Sequence, residues 1–422
     1  MTIANRRDFL RLLGSASLVA WGIAPRRASA AAKAKVIVIG GGYGGAIAAR
    51  YLKMGEPEME VTLIERNKRY VSCPMSNEVV GGEASMDFLT FGYDKLERQG
   101  IKVIFDTVEA IDPQARTVRI KSGKTLNYDS CVLSPGVDFE WGDIEGYDEA
   151  AAQIMPHAWK AGPQTVLLAK QIQDMKDGGT FIICAPDDPF RCPPGPYERA
   201  SLVAHYFKRH KPKSKIIILD NKTKFSKEGL FKQGWKQHYE GIITWHGGDA
   251  VKRVEPKTRK VFTEAQTYQG DVVNVIPNQL AGKIAHLAGV VDKSTGWCPV
   301  DFATFESRLQ KNIYVIGDAT ESPMPKSGYS ANSQAKICVS AILARLRNEP
   351  LTEPALTNTC YSLITPDHGI SVAHIFELKN GKLSLVPGSG GVSPMDATPE
   401  FRRLESIYAH SWYKNITTEM FG

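Results

Sequence analysis

A glycine-rich segment at residues 35–45, KVIVIGGGYGG, limits the possible folds of this 422-residue chain more than any other feature. Its apolar, β-branched beginning predicts a strand that is buried on both faces. Gly40, Gly42 and Gly45 follow with the G-x-G-x-x-G spacing. These glycines permit a tight turn, a close approach of the backbone to a pyrophosphate, and close packing of the next helix. The segment therefore predicts a dinucleotide-binding turn.

The residues after this turn complete a strand–helix–strand unit. Residues 46–52 predict a helix whose N-terminal N–H groups and positive dipole end face the phosphates. Residues 61–64 predict a second strand ending in Glu65, where an acidic residue accepts hydrogen bonds from a ribose hydroxyl. A glycine-rich turn without a ligand is the alternative, and the complete unit argues against it. This part of the chain leaves open whether the dinucleotide is FAD or NAD.

A second motif far downstream favours FAD. The strand-like sequence NIYVIGDA contains Gly317 and Asp318 near its end. In two-dinucleotide-binding flavoproteins, this motif brings an aspartate to the ribityl and pyrophosphate part of FAD. The sequence KSGYSAN, with Lys326 and Ser330, then predicts a helix that runs to about residue 347 and directs its N-terminus at the flavin pyrimidine. We therefore predict that Gly317, Asp318, Lys326 and Ser330 bind the cofactor.

Residues 146–280 predict a second α/β unit, with strands at 180–184 and 215–219. In relatives that use NAD(P)H, the turn after the first of these strands carries another glycine fingerprint. Here residues 185–196 read APDDPFRCPPGP. Prolines offer no N–H to a phosphate, and the two aspartates repel it. We therefore expect no NAD(P)H site; a shorter loop that still binds NAD(P)H is the disfavoured alternative.

The predicted fold class is α/β, with two glutathione-reductase-like Rossmann domains and a C-terminal α+β interface domain. The tail contains strand-like stretches joined at Asn380-Gly381 and an aromatic helix around Trp412. We expect these aromatic residues to form core, with a flavin contact by Trp412 as the lesser alternative. The predicted domains are a leader at 1–30, a discontinuous FAD domain at 31–145 and 281–350, the second Rossmann-like domain at 146–280, and the interface domain at 351–422.

The first thirty residues predict an export signal. They contain the twin-arginine pattern NRRDFLR, a modest apolar stretch and an Ala-Ser-Ala cleavage site at residues 28–30. The apolar stretch is short for a membrane span, so an uncleaved anchor is the weaker alternative. Twin-arginine export carries folded proteins, which suits a cofactor that is loaded in the cytoplasm. We therefore expect a periplasmic protein.

Charge and hydropathy narrow the possible partners. Cleavage at residue 30 would remove five arginines and one aspartate from a net charge of +7, which leaves a mildly basic chain. Basic runs with interleaved aromatic residues are absent from the sequence, which argues against nucleic acid as a ligand. The sequence beyond the leader has no long apolar run, so we expect no stable membrane insertion.

The chain has seven cysteines, an odd number that leaves at least one outside any internal disulfide. There is no Cys-x-x-Cys-His haem motif and no zinc-like spacing, so we predict no metal site. Apolar strand or helix patterns surround Cys131, Cys184 and Cys338, and we interpret these three, with Cys298, as structural. By contrast, Cys73, Cys192 and Cys360 are predicted to lie in loops, where a core role is harder to argue.

Four motifs carry a resemblance to a known family. They are CPMSNEVVGG from Cys73, FRCPPGPYER around Cys192, GYSAN from residue 328, and NTCYS around Cys360. Together they resemble the flavoprotein subunit of flavocytochrome c sulfide dehydrogenase, and the similarity extends over essentially all of the chain after the leader. The resemblance implies sulfide as substrate and a c-type cytochrome subunit as partner.

The same resemblance implies specific roles. Cys73 would hold the flavin 8α-methyl group as a thioether, while Cys192 and Cys360 would form a redox-active disulfide beside the isoalloxazine. Glu198 would lie close to this disulfide. Two interpretations of Glu198 stay open: it accepts a proton from H₂S or a thiol, or it stabilises the first turn of the helix predicted at 197–208.

The implied reaction agrees with general sulfur chemistry. Sulfide attacks a disulfide sulfur and produces a persulfide and a thiolate, and FAD then carries two electrons towards a haem. A sulfide:quinone oxidoreductase is the first alternative, but that class docks on membranes through apolar surface near its C-terminus, and this tail is charged throughout. The others are a non-catalytic flavoprotein partner of a sulfur-oxidising complex and an NADH-dependent disulfide reductase.

Overall fold

The computed structural model describes residues 33–422, so the predicted leader lies outside the described residues. The predicted α/β fold class is confirmed. Two parallel sheets and a C-terminal antiparallel sheet carry most of the described secondary structure. None of the helices within residues 33–422 combines the length and the apolar character needed to cross a membrane.

The first sheet has five parallel strands in the order β19-β9-β1-β2-β5. Its strands are β1 Lys35–Ile39, β2 Glu60–Glu65, β5 Lys102–Phe105, β9 Ser130–Leu133 and β19 Ile313–Val315. β19 comes from far downstream and pairs with β9, with Tyr314 opposite Val132. This pairing brings the two motifs predicted to bind FAD to the carboxyl edge of one sheet.

The second sheet has four parallel strands in the order β13-β12-β11-β17. They are β11 Thr180–Cys184, β12 Lys215–Asp220, β13 Ile243–Gly247 and β17 Val272–Val275. All five residues of β11 lie opposite residues of β12 in continuous parallel register. The apolar side chains of β11 and β17 are buried on both faces, as expected for parallel strands covered by helices, whereas those of the edge strand β13 are half-buried.

The C-terminal sheet is antiparallel and consists of β20 Ala355–Thr365, β21 His368–Lys379, β22 Lys382–Leu385 and β23 Gly391–Val392. The predicted hairpin at Asn380-Gly381 is present, with positive φ angles of 51° and 74° at these two residues. Strand β20 was not predicted. It contains Cys360, which pairs with Val372 of β21, so the prediction that Cys360 lies in a loop is wrong.

Smaller strands connect these sheets. Their bounds are β3 Tyr70–Val71, β4 Thr90–Phe91, β6 Val108–Asp112, β7 Thr117–Ile120, β8 Thr125–Asn127, β10 Val137–Phe139, β14 Val251–Glu255, β15 Lys260–Thr263, β16 Thr267–Gln269 and β18 Gln279–Ala281. The antiparallel pair β10–β18 lies where the chain passes between the two parallel sheets.

Ten α-helices complete the described fold. They are α1 Gly45–Gly55, α2 Ser76–Val80, α3 Met86–Leu89, α4 Asp94–Arg98, α5 Pro163–Asp174, α6 Gly195–His210, α7 Glu228–His238, α8 Lys283–Leu287, α9 Gly328–Arg347 and α10 Pro399–Phe421. Helix α9 begins where Ser327 Oγ accepts a hydrogen bond from the Ser330 N–H at 3.0 Å, which satisfies an otherwise unpaired helix donor.

Helix α1 packs unusually close to the end of β1. A Cβ atom on Gly45 would lie 1.8 Å from the Gly40 carbonyl oxygen, and Gly40 itself has a φ angle of +97°. The apolar face of α1, which includes Ile47 and Leu52, is fully buried against the first sheet. Gly45 therefore keeps α1 in contact with β1, and its lack of a side chain is a steric requirement.

We expect Gly45→Ala to move α1 away from β1, because the added methyl group overlaps the Gly40 carbonyl. Overpacking of this kind costs about 1–3 kcal/mol. The variant should melt several degrees lower than wild type and contain less flavin per chain after purification, because a displaced turn takes up the cofactor less well. Gly391→Ala is the matched control, since an added Cβ on Gly391 would meet no heavy atom of the described residues within 4 Å. Equal melting and equal flavin content in the two variants would contradict this account.

Candidate active site

A cavity of about 570 Å³ lies at the carboxyl edge of the first sheet. Its volume falls in the usual range for cofactor sites. Predicted cofactor residues among its lining are Gly40, Gly42, Glu65, Cys73, Gly317 and Asp318. Gly45 is outside the lining and serves the α1–β1 contact instead. The cavity thus receives residues from both predicted FAD motifs.

Glu65 organises the turn at one end of this cavity. Its Oε2 accepts a hydrogen bond from the Gly41 N–H at 2.8 Å, and its Oε1 accepts one from the Asn67 N–H at 2.9 Å. The side chain therefore holds the glycine-rich turn in place while it lines the cavity. This placement is compatible with the predicted ribose contact.

Asp318 supplies the best test of whether FAD fits here. Its Oδ1 is buried without a hydrogen-bond partner among the described residues. Desolvation raises the pKa of this carboxyl, and the positive charges of Arg191 and Lys326 act against that rise. A buried oxygen without a donor is costly, so a ligand donor is expected. Ribityl hydroxyls supply such donors, and the residues present therefore fit the cofactor.

Lys326 and Ser330 have a different placement from the one predicted, because neither lines the cavity. Lys326 Nζ donates to the Asp318 carbonyl oxygen at 2.7 Å and to the Thr320 carbonyl oxygen at 2.9 Å. Ser330 Oγ donates to Asn358 Oδ1 at 3.1 Å. Both side chains thus form hydrogen bonds within the protein. They stabilise residues next to the cavity and do not face it.

Cys73 lies between β3 and α2 and lines the cavity. Its Sγ lies 3.7 Å from the Trp159 carbonyl oxygen and accepts a hydrogen bond from the Ala161 N–H at 3.5 Å. Arg191 lines the same cavity and donates to the same Trp159 oxygen. Although burial opposes its charge, Cys73 and Asp318 raise the pKa of Arg191. Sequence reasoning missed Arg191, which places a permanent positive charge beside Cys73.

Cys192 and Cys360 come together from distant parts of the chain. Cys192 precedes α6 and adopts a left-handed backbone with φ of 61°. Its N–H donates to the Lys326 carbonyl oxygen at 2.8 Å, which ties it to the cavity wall. Desolvation raises the pKa of Cys192, and negative charge on Cys360 raises it further. Both are free cysteines in this structure, so the predicted disulfide stays a prediction.

Glu198 connects the segments that carry these cysteines. Its Oε2 accepts a hydrogen bond from Asn77 Nδ2 at 2.8 Å, and its Oε1 accepts one from the Leu363 N–H at 2.9 Å. Burial raises the pKa of Glu198 against the lowering effect of both bonds. Its side chain therefore bonds to α2 and β20 rather than to the first turn of α6. This geometry argues against the helix-stabilising interpretation, and the proton-accepting one stays a prediction.

The comparisons with known proteins agree with this geometry. Residues 165–277 match the family model for the central domain of the sulfide dehydrogenase (flavocytochrome c) flavoprotein chain. Residues 352–421 match the flavin-binding domain of flavocytochrome c sulphide dehydrogenase, and residues 34–161 match a pyridine nucleotide-disulphide oxidoreductase model. The Chlorobaculum thiosulfatiphilum flavoprotein chain of sulfide dehydrogenase is 49% identical over 45 residues, which span 94% of its sequence and 11% of this one. The chain belongs to the flavocytochrome c sulfide dehydrogenase flavoprotein family.

Sulfide:quinone oxidoreductases are more distant relatives. The enzyme of Aquifex aeolicus is 24% identical over 365 residues, covering 80% of this chain and 83% of its own. The mitochondrial enzyme of Dictyostelium discoideum is 22% identical over 334 residues, covering 75% and 72% respectively. The solved Aquifex aeolicus structure superposes with a TM-score of 0.74 at 19% identity and covers 92% of each chain. The superposition shows the two-dinucleotide-binding fold, and the family to which the chain belongs is a family of sulfide-oxidising flavoproteins.

In this family member, protein side chains fill the carboxyl edge of the second sheet, where a nucleotide binds in related folds. Asp220 at the end of β12 accepts hydrogen bonds from Tyr197 OH at 2.5 Å and Trp245 Nε1 at 3.1 Å. Phe225 stacks on Tyr197 with ring centroids 3.7 Å apart, and Lys222 Nζ pairs with Asp220 at 2.7 Å. The carboxylate position that binds a ribose in NAD-using relatives is thus already occupied by protein donors.

Sequence reasoning missed a second group of site residues, which includes Lys227 and the ion pair between His410 and Glu78. Lys227 occurs in the short sequence FSKEG, which is typical of an exposed loop, yet its side chain is buried. His410 Nε2 on α10 lies 2.9 Å from Glu78 Oε1 on α2. Glu78 belongs to the motif that begins at Cys73, but Lys227 and His410 belong to none of the four motifs, and only the fold brings them to their partners.

The His410–Glu78 pair predicts a specific pH dependence. Glu78 raises the pKa of His410 from 6.5 to about 9. Because the folded-state pKa is raised, the pair stabilises the fold fully below the ordinary histidine pKa and loses this effect as pH rises through about 9. His410→Gln should therefore lower the melting temperature more at pH 6 than at pH 10.

Glu78→Gln serves as the partner variant in a double-mutant cycle. The double variant should melt close to either single variant at pH 6, since each one already removes the pair. An equal loss for His410→Gln at both pH values would show that the side chain stabilises the fold by packing alone.

Proposed function

We propose that this chain is the catalytic flavoprotein subunit of a sulfide dehydrogenase that transfers electrons to a c-type cytochrome. One observation carries the proposal: Glu198 follows Cys192 on the same segment and bonds to the strand that carries Cys360, and the neighbouring Arg191 lines a cavity in which a buried Asp318 oxygen has no hydrogen-bond partner among residues 33–422. The family matches support oxidation of sulfide, while the cytochrome is our inference from the sequence motifs.

In the proposed reaction the resting enzyme has a Cys192–Cys360 disulfide. Hydrogen sulfide gives its proton to the Glu198 carboxylate, whose raised pKa suits it to accept a proton. The sulfide sulfur bonds to one cysteine sulfur, the disulfide bond breaks, and its electron pair remains on the other sulfur as a thiolate. FAD, when bound, supplies the two-electron acceptor that this thiolate requires. Cys192 and Cys360 thus hold the substrate sulfur and orient it beside the cavity.

The expected acceptor is a protein rather than nicotinamide. Asp220 accepts hydrogen bonds from Tyr197 and Trp245, and Phe225 stacks on Tyr197 at the same edge of the second sheet. These contacts support the expectation that the chain has no NAD(P)H site. The twin-arginine leader supports a periplasmic location, where c-type cytochromes function and where loading FAD before export is an advantage. The leader lies outside the described residues.

A quinone acceptor is the second candidate, supported by the relatives and by one surface feature. Helix α10 exposes the apolar side chains of Phe401, Leu404, Ile407 and Tyr408. Such a surface suits either a membrane or a protein partner. The charged residues Arg403 and Glu400 on the same helix, which are also exposed, favour a protein partner.

The acceptor and the cysteines can be tested in one assay. Purified enzyme in detergent-free buffer should reduce a soluble c-type cytochrome with sulfide, and should do so much faster than it reduces a short-chain quinone. Cys192→Ser and Cys360→Ser should both abolish sulfide-driven bleaching of the flavin, because neither can form the disulfide. Cys184→Ser is the control, since Cys184 is buried in β11 and has no proposed role.

Two results would contradict the proposal. Faster reduction of quinone than of cytochrome would assign the chain to the quinone-linked class. Bleaching of Cys192→Ser at the wild-type rate, together with earlier melting, would mean that the cysteine pair is a structural link between segments.

We also propose that FAD is attached covalently through Cys73, which lines the cavity beside Arg191. After acid precipitation, wild-type protein should keep its yellow colour in the pellet, and Cys73→Ser should release flavin to the supernatant. Flavin that washes out of wild type would refute the attachment, while retention in Cys73→Ser would refute the role of Cys73.

A further inference from the structure

Lys227 is a buried cation whose side chain bonds to β20 of the C-terminal sheet. It precedes α7, has only 7% of its surface exposed, and adopts a left-handed backbone with φ of 59°. A non-glycine residue in this conformation is strained, and such strain concentrates at functional sites. Cys192 and Met75 have the same backbone conformation, with φ of 61° and 66°. Three strained residues thus lie in the segments that form the cysteine site.

The amino group of Lys227 is directed at the strand that carries Cys360. Its Nζ donates to the Cys360 carbonyl oxygen at 3.1 Å and to Ser362 Oγ at 2.9 Å. These acceptors are neutral, and no carboxylate within residues 33–422 forms a direct ion pair with this ammonium. A buried ammonium held by neutral acceptors has no counter-charge in direct contact, and a nearby negative charge would stabilise it.

The acidic groups around Lys227 come from each element packed against it. They are Cys360 on β20, Cys192 and Glu198 at the beginning of α6, and Glu405 on α10. Glu198 is occupied by Asn77 and Leu363, and Glu405 pairs with Arg402 at 3.2 Å. In the proposed reaction Glu198 loses its negative charge when it accepts the substrate proton, so among these four groups only the two cysteines gain negative charge.

We propose that Lys227 is a positioning residue that stabilises the cysteine thiolate released when sulfide opens the Cys192–Cys360 disulfide. This inference rests on the proposed function. Sulfide bonds to one sulfur, the disulfide bond breaks, and the electron pair remains on the leaving sulfur. The Lys227 ammonium keeps its proton and attracts that charge, while its bonds to Cys360 and Ser362 hold it in place before the reaction.

The electrostatics around the site agree with this role. Burial lowers the pKa of Lys227, and negative charge on Cys360 is the largest influence that opposes it. Reciprocally, desolvation raises the pKa of Cys360, and Lys227 acts against that rise. The ammonium and the thiolate thus stabilise each other, so removal of the cation should make the thiol harder to ionise.

The test measures the thiols directly in fully reduced holoenzyme. The rate of iodoacetamide alkylation at Cys192 and Cys360 is followed by peptide mass spectrometry from pH 5 to pH 10. Lys227→Gln is the main variant, because its amide can still donate to the two acceptors but carries no charge. We expect its thiol titration to move upward and its alkylation rate at pH 7 to fall about tenfold, which corresponds to one pKa unit.

Two further variants separate charge from structure. Lys227→Arg should restore most of the alkylation rate, and Ser362→Ala should change it little because it keeps the cation. An unchanged titration in Lys227→Gln would overturn the proposal, whether or not the variant melts earlier. If Lys227→Gln does not fold, Lys227→Met decides, because it also removes the charge: an upward shift of the thiol titration supports the proposal, and a titration like that of wild type overturns it.

The alkylation readout does not depend on sulfide turnover, so the two proposals can fail separately. Loss of sulfide oxidation in Lys227→Gln with an unchanged titration would overturn the role of Lys227 and leave the proposed function intact. Sulfide oxidation by Cys192→Ser would overturn the proposed function, whatever the titration shows.

Discussion

The active site depends on one buried carboxylate that joins three separate segments. Glu198 on α6 accepts hydrogen bonds from Asn77 on α2 and from the Leu363 N–H on β20. Cys73 and Cys192 lie three residues before α2 and α6, and Cys360 lies in the middle of β20. Hydrogen bonds to a charged acceptor are stronger than neutral ones. A change at Glu198 would therefore alter both the proposed transfer of the substrate proton and the relative placement of Cys73, Cys192 and Cys360.

Charge is distributed around the cavity in two clusters. Arg191 and Asp318 line the cofactor cavity, where a buried Asp318 oxygen has no hydrogen-bond donor among residues 33–422. Lys227 lies on the substrate side, next to Cys360. In the proposed reaction, Lys227 lies next to the strand where negative charge develops on a cysteine sulfur, and Arg191 lines the cavity that would hold FAD. Preorganised charges of this kind need little rearrangement during a reaction.

Local sequence patterns predicted the cofactor side better than the substrate side. Gly40, Glu65 and Asp318 belong to motifs with fixed spacing from a strand, so their positions follow from the fold class. Lys326 and Ser330 were assigned to the cofactor because they begin α9, yet their side chains are consumed by internal hydrogen bonds. Sequence spacing does not reveal which donors are already satisfied.

The substrate side was harder to predict because its contacts are long-range. Cys360 was expected in a loop, and only its pairing with β21 shows that it lies on a strand. Lys227 resembles an exposed loop lysine until β20 is placed above it.

Peptide mapping of the purified protein without reductant tests the central claim most directly. After alkylation and digestion under non-reducing conditions, Cys192 and Cys360 should appear in one cross-linked peptide. That peptide should separate into its two parts when sulfide is added before digestion. Recovery of Cys192 and Cys360 as two alkylated thiols in protein that has not met a reductant, or in bonds to other cysteines, would contradict the account.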